Sequence, residues 1–316
     1  MKKLVATIMA ISMVMLLSVS AFASFSDMPE GNDAQLIMKA VENGLIQGFE
    51  DGTVRPNETI TRAQMAAIIV RATGAEQTAD ISAFNDVAAG DWYYDVMAKA
   101  VSMGAFKGDD RKCLNPNSTI TRQEAFIVFS RIFDVPKAKT STVYDYSDGS
   151  TVSDWARPEV SGVLAAGYLG DEKAIRPLDP MTRIEFSRIM DKLVAAFIDE
   201  DGEYTALPEG NVLVRAKNVS FKGVNKDSII IIGDGVTNPV NFTDCVCETI
   251  VFRGKKGIFN SGTYGLVRAI GNGTELYIMK NPLDLLKKYE DGSIGKFSAE
   301  PGMGVLVPLT ETVEIQ

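Results

Sequence analysis

The feature that most constrains this chain is a short phrase that occurs three times at nearly constant spacing. The three segments are TVRPNETITRAQM (residues 53–65), KCLNPNSTITRQEAF (112–126) and AIRPLDPMTRIEF (174–186). The arginines of their Thr-Arg pairs lie 60 and 61 positions apart, and a proline precedes each by six positions: Arg62, Arg122 and Arg183. Self-similarity at a fixed period indicates a structural unit that is copied and stacked. The sequence therefore predicts three related units that pack on one another.

Each copy predicts a pair of helices. The second helix starts at the Thr-Arg pair, because the threonine is followed three positions later by Gln or Glu, the pattern of a capping box. Apolar residues then recur at helical spacing. The first helices are predicted over 33–43, 92–103 and 155–166. A glycine suited to the left-handed C′ position follows each of them: Gly44, Gly104 and Gly167.

The arginine at the start of each second helix needs an explanation. A cation there faces the positive end of the helix dipole, at a cost of roughly 0.3–1 kcal/mol. Backbone amides that point outward from a helix N-terminus, together with a planar guanidinium, can bind a carboxylate or a phosphate. We therefore predict an anion site at each arginine. The alternative is an ion pair between repeats, with the aspartates of the segments FSDM, FNDV and YSDG: Asp27, Asp86 and Asp148.

Read in order, these motifs resemble the surface-layer homology (SLH) repeat. The second copy shows them best, in FNDVAAGDWYYDVMAKAVSMGAFKG followed by LNPNSTITRQEAF, and three copies cover about 25–197. The resemblance implies a pseudo-threefold helical assembly that anchors a protein non-covalently to the bacterial cell wall. Its implied partner is an anionic secondary polysaccharide bearing pyruvate ketals, bound in grooves between repeats. The implied ligand-binding residues are Arg62, Arg122, Arg183, Asp27, Asp86, Asp148, Trp92, Trp155, Gly48 and Gly108.

The copies depart from the family pattern in places that matter for these grooves. Asn32 stands near the position where the first copy should have its tryptophan, and in the third copy Gly170 comes one residue early. Because a lost tryptophan removes a stacking face, we expect the residues of the second copy to contribute most. Two alternatives stay open: the tryptophans could pack in the core at a helix start, and the glycines could serve only as caps or tight turns.

The N-terminal segment and the charge bear on location and partners. Residues 1–23 combine two lysines, an apolar run and Ala21-Phe22-Ala23, which predicts a cleaved signal peptide; an uncleaved membrane anchor is the alternative. We find no second segment apolar and long enough to span a bilayer, and expect a secreted cell-surface protein. The net charge of −9 argues against a nucleic-acid partner, because phosphate binding requires a basic face.

Several chemistries are excluded or disfavoured by composition. The chain has no histidine, which excludes histidine triads and histidine zinc sites. Of the three cysteines, Cys245 and Cys247 would share one face of a strand and are expected to be small core residues. The acidic run at 199–203 lacks the spacing of a calcium loop. We expect no catalytic residue, cofactor or metal, although a carboxylate-based glycan-active domain is not excluded.

The last third of the chain predicts β-structure. VSFKGVNKDSIIIIGDGV and VNFTDCVCETIVFRGKKG align at a period of 21, with Phe221 matching Phe242 and Ile229 matching Ile250. Such a period favours a short parallel β-solenoid, with a β-sandwich as the alternative. Asp234 and Asp244 lie in turn-like positions and are expected to be structural. Residues 282–293 predict a single helix, and the segment GVLVPLTETVEIQ predicts one or two strands.

The prediction as a whole is a multidomain α + β protein. Its expected parts are a signal peptide (1–23), SLH repeats (24–79, 80–140 and 141–197), a linker (198–210) and a β-rich domain that projects outward (211–316). Its expected function is anchoring to an anionic wall polymer. The alternatives are a self-assembling S-layer lattice component, with self-association, and a glycan-degrading enzyme carried by the β-rich domain.

Overall fold

The computed structural model of the protein describes residues 25–280, 286–288, 294–299, 305–308 and 313–315. Within these residues the chain forms α-helices first and then β-strands, which confirms the expected α + β class. The α-helices are α1 (Asn32–Glu42), α2 (Arg62–Thr73), α3 (Tyr94–Ser102), α4 (Arg122–Phe133), α5 (Arg157–Ala165) and α6 (Arg183–Leu193). The predicted signal peptide lies outside the described residues.

The second helices begin as the sequence predicts. In all three, the threonine side chain accepts the N–H of the residue three positions on, and the side chain of that residue accepts the threonine N–H. The capping residues are Thr61, Thr121 and Thr182. These reciprocal bonds satisfy two backbone donors that a helix would otherwise leave open, and they place an arginine at the first position of α2, α4 and α6.

The first helices end at left-handed glycines. Their φ angles are 68°, 76° and 73°, for Gly44, Gly104 and Gly167 respectively. Glycine adopts this conformation without the steric cost that a Cβ atom brings. The observed spans of α1, α3 and α5 agree with the predicted ones to within two residues at each end. Each glycine turns the chain into the loop that carries the repeated proline.

Three backbone hydrogen bonds join the repeats into a closed ring. The Ile60 N–H donates to the carbonyl of Met181, the Met181 N–H to that of Ile120, and the Ile120 N–H to that of Ile60, each at 2.9 Å. Each of these residues immediately precedes a Thr-Arg pair and is buried. Every repeat is thus bonded to both others, in the pseudo-threefold arrangement that the resemblance implies.

The strands form a β-solenoid-like domain of about five turns. They are β1 (Ala196–Ile198), β2 (Gly202–Tyr204), β3 (Val212–Val214), β4 (Val219–Lys222), β5 (Asn225–Ile232), β6 (Val240–Thr243), β7 (Cys245–Phe252), β8 (Lys256–Phe259), β9 (Gly262–Ala269), β10 (Glu275–Lys280), β11 (Leu286–Lys288), β12 (Phe297–Ala299), β13 (Val305–Pro308) and β14 (Val313–Ile315). Two sheets face each other, with orders β1-β3-β5-β7-β9-β12 and β13-β10-β8-β6-β4-β2. Neighbours are parallel except β12 and β13, which pair antiparallel with β9 and β10.

Aromatic rings stack along the interior of the solenoid. Phe221 and Phe242 lie 5.1 Å apart between ring centroids, and Phe242 and Phe259 lie 4.9 Å apart, both pairs stacked. Cys245 and Cys247 are buried beside them and unbridged, as the sequence indicates. Equivalent positions on successive coils therefore carry the same type of buried residue, which is why the repeat is visible in the sequence.

The predicted register is correct in one part of the coil and wrong in another. Phe221 pairs with Phe242 as expected, but Ile229 pairs with Thr249, and Ile250 pairs with Ile230. The shift arises at an irregularity between Lys226 and Ile229, which changes the spacing between coils within one strand pair. A period of 21 therefore describes only one part of this coil pair, and the next coil follows after 17 residues, with Phe242 pairing with Phe259.

Two segments differ from their predicted structure. Strand β2 lies within the expected linker (198–210), and β1 ends at its first residue. Between the two strands, Asp199 accepts from Arg215 at 2.9 Å and Asp201 from the Asn218 N–H at 2.9 Å. The predicted helix over 282–293 is contradicted by β11, whose three residues pair in parallel with β14. The rest of that segment lies outside the described residues. Strands β13 and β14 confirm the prediction for the final segment.

The solenoid packs on the C-terminal ends of the helices. Leu213, Ile231 and Val251, from β3, β5 and β7, belong to the same buried cluster as the helical core. The guanidinium of Arg253 is nearly inaccessible and donates to the carbonyl of Met103 at 3.0 Å, just after α3. A cation at a helix C-terminus complements the negative end of the dipole.

Further arginines of the solenoid make related contacts. Arg215 donates to the carbonyl of Asn43 at 3.0 Å, just after α1, and Arg268 pairs with Asp134, just after α4. The expectation of a β-rich domain that projects outward from a linker is therefore wrong. Buried apolar contacts and arginine caps fix the solenoid against the base of the helical assembly.

Candidate functional site

The three aspartates bind backbone amides rather than arginines. Asp86 accepts the N–H of Leu114 at 2.9 Å and the N–H of Asn115 at 2.6 Å. The same two bonds occur in the other repeats, from Asp27 to Val54 and Arg55 and from Asp148 to Ile175 and Arg176. The alternative of direct ion pairs between these aspartates and the Thr-Arg arginines is therefore wrong. Each aspartate fixes the loop that precedes the repeated proline.

That loop has an unusual backbone in all three repeats. The residue before each proline has a positive φ, of 48°, 52° and 51°, for Arg55, Asn115 and Arg176. Residues with a Cβ atom seldom adopt this region, and a following proline favours an extended conformation instead. The charge-assisted bonds from the aspartate offset the cost. The aspartate is thus needed wherever this loop shape is needed.

Each Thr-Arg arginine contacts the loop that the aspartate of the next repeat holds. Arg62 Nε donates to the carbonyl of Leu114 at 2.9 Å, and the N–H of the same residue donates to Asp86. Arg122 and Arg183 make the equivalent bonds, to Ile175 at 2.8 Å and to Val54 at 2.7 Å. Every arginine therefore crosses from its own repeat into the next, and the third returns to the first.

The amides at the helix N-termini are already bonded. In α2 the N–H groups of Arg62 and Ala63 donate to the carbonyls of Ser118 and Pro116, both at 2.9 Å, and the third amide bonds the capping threonine. The first amides of α4 and α6 bond carbonyls of the adjacent repeat in the same way. The prediction that these amides point outward toward an anion is therefore wrong. An anion at these positions has to be recognised by side chains.

A cavity of about 840 Å³ lies where the three repeats meet. It is lined by Arg62 of the first repeat, Gly108 of the second and Trp155 of the third. We call this surface the Arg62 groove. Polar and charged groups of the second repeat, including Glu124 and Arg131 of α4, complete its walls. The structure thus brings together three of the predicted site residues that are far apart in the sequence.

The pseudo-threefold arrangement defines two equivalent surfaces. The Arg122 groove joins Arg122 with Gly170 of the third repeat and Asn32 of the first, and a cavity of about 420 Å³ lies beside the last two. The Arg183 groove is the remaining combination, of Arg183 with Gly48 of the first repeat and Trp92 of the second. The predicted residues of the second repeat are therefore divided among three grooves, so no groove is built from that repeat alone.

The two tryptophans are surface residues. Trp92 is 64% exposed and Trp155 is 61% exposed, although each precedes a helix of the core. The alternative that they pack in the core is therefore wrong. An exposed indole on the wall of a polar groove offers a flat apolar face, and flat faces of this kind stack on sugar rings. Asn32 offers no such face to the Arg122 groove.

Gly48 and Gly108 are required by packing against the aromatic-x-Asp segment. A Cβ atom at Gly48 would lie 2.1 Å from the ring of Phe25, and one at Gly108 would lie 2.1 Å from the ring of Phe84. Neither has a positive φ, so they are not left-handed caps. Gly170 differs, with a φ of 69° and the Lys192 side chain in the equivalent space. The glycines let an aromatic ring lie under the groove floor.

The three arginines differ in their charged partners. Arg62 has one, Glu124, at 3.1 Å, and its side chain is 13% exposed. Arg122 has two, Glu172 and Glu185, both at 2.9 Å, and its side chain is completely buried. For Arg183 no carboxylate lies within ion-pair distance in the described part of the chain, since the residue matching Glu124 and Glu185 is Gln64. Its guanidinium bonds the carbonyls of Val54 and Gln47 instead.

Burial affects the protonation energetics of all three groups. Desolvation lowers the pKa of each guanidinium below its ordinary value, and nearby carboxylates partly oppose the shift, Glu124 for Arg62 and Glu172 and Glu185 for Arg122. An arginine nevertheless stays protonated in a protein. The lowered pKa shows that the cation has lost part of its hydration. An anion that can reach the guanidinium would replace that hydration and is therefore bound favourably.

Sequence reasoning missed the carboxylates that decide how accessible each arginine is. Glu124 and Glu185 could have been identified, because each is the third residue of a helix whose capping box it completes. Glu172 gave no signal, since it lies in an irregular loop. Arg131, which lines the Arg62 groove and donates to the carbonyl of Ala105 at 3.2 Å, was also missed.

The described residues of the solenoid show no comparable site. Asp234 pairs with Arg253, and Asp244 accepts from the Ser261 hydroxyl at 2.7 Å, so both aspartates have structural roles. Among the described residues there is no group of acidic or thiol side chains that could hold a metal ion. In the same part of the chain, no helix has both the length and the apolar character needed to cross a membrane.

The comparisons with known proteins agree with the repeat architecture. The family model of the S-layer homology domain matches residues 24–66 and 83–126. The chain is 29% identical over 208 residues to the "Surface-layer 125 kDa protein" of Lysinibacillus sphaericus, covering 64% of this chain and 17% of that protein. It is 26% identical over 227 residues to a "Cell surface protein" of Thermoanaerobacter kivui, covering 70% of this chain and 26% of that protein.

An enzyme also matches, over a smaller part. The "Amylopullulanase" of Thermoanaerobacterium thermosulfurigenes is 28% identical over 172 residues, which cover 53% of this chain and 9% of that protein. The chain thus spans a small part of the length of the curated relatives it matches. The third helical pair, which the family model does not match, has the same capping box, left-handed glycine and ring hydrogen bonds as the first two. The first two helical pairs are therefore S-layer homology (SLH) repeats, the third shares their local structure, and the protein is a secreted cell-surface protein.

Proposed function

We propose that the SLH domain anchors this protein to the cell wall by binding an anionic polysaccharide that carries pyruvate ketals. The observation that carries this proposal is the Arg62 groove, where a partly exposed guanidinium and an exposed indole line one cavity of about 840 Å³. A ketal of pyruvate joins a carboxylate to a sugar ring. The groove offers a partner to each, because Arg62 can pair with the carboxylate and Trp155 can stack on a sugar.

The contacts of Arg62 leave one edge of its guanidinium for a ligand. Nε donates to the Leu114 carbonyl and Nη1 to Glu124. Nη2 has no hydrogen bond to the described residues, and Arg62 lines the cavity. The protein contacts fix the orientation of the guanidinium before binding, so less rotamer entropy is lost when a carboxylate arrives.

The overall acidity of the chain does not oppose this mode of binding. The net charge is −9, but the Debye length at physiological ionic strength is about 8 Å. Charges farther away than this are largely screened from a ligand in the groove. The local guanidinium, held in a partly buried position where screening is weak, therefore matters more than the net charge.

Cosedimentation with purified cell-wall sacculi tests the proposal. We expect the wild-type chain to sediment with intact sacculi and to stay in solution with sacculi whose secondary polymer has been removed by acid. Arg62→Gln and Trp155→Ala should each weaken binding at least tenfold. Tyr144→Ala is the matched control for the tryptophan, since Tyr144 is 56% exposed but lies outside the groove lining. Equal binding of wild type and both groove variants would refute the assignment.

A second candidate function is self-assembly into a surface lattice, which the name of the Lysinibacillus sphaericus relative suggests. The two functions are separable by electron microscopy of the purified protein. Ordered arrays that form without any wall polymer would favour a lattice component. A monodisperse protein that binds sacculi would favour an anchor alone. A glycan-degrading solenoid has no supporting observation, because Asp234 and Asp244 already have structural partners.

A further inference from the structure

The Arg122 groove differs from the other two in the surroundings of its arginine. Glu172 Oε2 lies 2.9 Å from Nη2 of Arg122, and Glu185 Oε1 lies 2.9 Å from Nη1. Arg176 bridges the two carboxylates, 3.1 Å from Glu172 and bonded to Glu185. Both terminal nitrogens of Arg122 are thus paired with carboxylates, and its side chain has no exposed surface.

Comparison with the Arg62 groove shows that Glu172 is the carboxylate that is present at Arg122 and missing at Arg62. Arg62 has a carboxylate on one side only, Glu124, which occupies the same third helical position as Glu185. The residue before the proline of that loop is Asn115, not an arginine that could hold a second carboxylate in place. Glu172 therefore pairs the Nη2 of Arg122, the same nitrogen that has no hydrogen bond to the described residues at Arg62.

The length of the loop explains how Glu172 reaches this position. Gly44 and Pro56 are 12 positions apart, whereas Gly167 and Pro177 are 10 apart, so the third loop is tighter. In the first repeat the residue matching Glu172 is Asp51, which likewise pairs with the arginine four positions on, at 3.0 Å. Asp51 is shorter by one methylene, and within the described residues its ion pair is with Arg55, not Arg183.

We propose that Glu172 acts as an internal substitute for the ligand carboxylate and closes the Arg122 groove, so that the protein binds its polymer through the Arg62 and Arg183 grooves only. This inference rests on the proposed function. The cavity of about 420 Å³ in this groove is lined by Glu172 and not by Arg122. Arg188 and Lys192 also line this cavity, so what Glu172 removes from a ligand is specifically the Arg122 guanidinium, whose Nη2 it already pairs at 2.9 Å.

The number of ligands bound per chain tests the inference. The probe is a monosaccharide carrying a pyruvate ketal, and native mass spectrometry of the full chain counts the bound molecules. We expect at most two on the wild type and one more on Glu172→Ala. Glu172→Gln keeps a hydrogen-bonding group of the same size and should also gain a ligand if the alanine variant does not fold. Asp145→Ala is the matched control, an exposed carboxylate of the same repeat outside the lining of this cavity and without a described ion pair to Arg122, and should bind as the wild type does.

The outcomes separate the inference from the function on which it rests. One additional ligand on either folded Glu172 variant, with no additional ligand on Asp145→Ala, supports the closed groove. Three ligands on the wild type, or folded Glu172 variants that bind no more than the wild type, overturn it while leaving the anchoring function in place. A wild-type chain that binds no ligand in this assay and no sacculi overturns the proposed function itself.

Discussion

Asp86 and Arg62 make no bond to each other, yet both bind Leu114: the aspartate accepts its N–H at 2.9 Å, and the arginine donates to its carbonyl at 2.9 Å. The aspartate comes from the same repeat as this residue and the arginine from the preceding one. One peptide segment therefore transmits the position of the aspartate to the guanidinium. Asp86 and Arg62 are thus coupled through the backbone of Leu114, a residue that is distant from both in the sequence.

Loss of the aspartate should therefore affect both stability and binding. In Asp86→Ala the amides of Leu114 and Asn115 lose their acceptor, and Asn115 keeps its unfavourable φ of 52°. We expect the free energy of unfolding to fall by about 1–3 kcal/mol, measured by urea denaturation. Sacculus binding should also weaken at a temperature where the variant is still folded. Asp80→Ala, which removes an exposed turn contact to Ser82, should change neither.

The same substitution should mainly reduce stability at Arg122 and mainly reduce binding at Arg62. Arg122→Met leaves Glu172 and Glu185 without their buried partner and should cost about 3–5 kcal/mol of folding stability. Arg62→Met leaves only the more exposed Glu124 and should cost less. Binding to sacculi at low temperature should weaken at least tenfold in Arg62→Met and be largely kept in Arg122→Met. Equal loss of binding in both variants would argue against a closed Arg122 groove.

The contact between solenoid and helices should contribute much to folding stability at the buried Arg253 and little at its exposed periphery. Arg253→Met removes a buried ion pair with Asp234 and the bond to the Met103 carbonyl, and should lower stability by about 3–5 kcal/mol. Lys217→Met is the matched control. It breaks another pair between the two domains, with Glu76, but both side chains are more than half exposed, so solvent screening should make the loss of stability much smaller than for Arg253→Met. Thermal unfolding monitored by circular dichroism distinguishes the two.

Acid should destabilise the protein partly through Glu185. Burial alone would raise the pKa of this carboxyl, but the Thr182 amide and then Arg122 and Arg176 outweigh it, so the pKa lies below its ordinary value of 4.5. A depressed folded-state pKa contributes stability above the unfolded-state value, and that contribution is lost as pH falls through the folded-state value. We expect urea unfolding curves to show stability falling below about pH 4.5, with a shallower fall in Glu185→Gln. An identical slope in the variant would contradict this assignment.

Much of the helical domain could be predicted from the sequence because its signals are local. A capping box such as Thr121 with Glu124 is defined by residues three positions apart, and a left-handed glycine such as Gly104 follows its helix directly. Three copies in register made the signals easy to see. The solenoid was visible for a related reason, because Phe221 and Phe242 stack on each other and so must repeat.

The state of each groove could not be predicted, because it depends on contacts between distant segments. Arg122 and Arg62 occur in nearly identical phrases, and only the three-dimensional structure shows that Glu172 covers one and not the other. The docking of the solenoid was missed for the same reason. Arg215 and Arg253 resemble ordinary surface arginines of a β-domain, and nothing near them in the sequence indicates the helix ends that they cap.

The ring of hydrogen bonds between Ile60, Ile120 and Met181 determines the order of events when the chain folds. The bond from Ile60 to Met181 joins the first repeat to the last, so the ring cannot close until nearly all of the helical region is available. Closing a loop over such a separation costs conformational entropy before any stabilising contact forms, and this slows folding. A growing chain with only one or two repeats cannot form this ring of three hydrogen bonds. The domain is thus expected to stay extended until its third copy arrives and then to form in a single cooperative step.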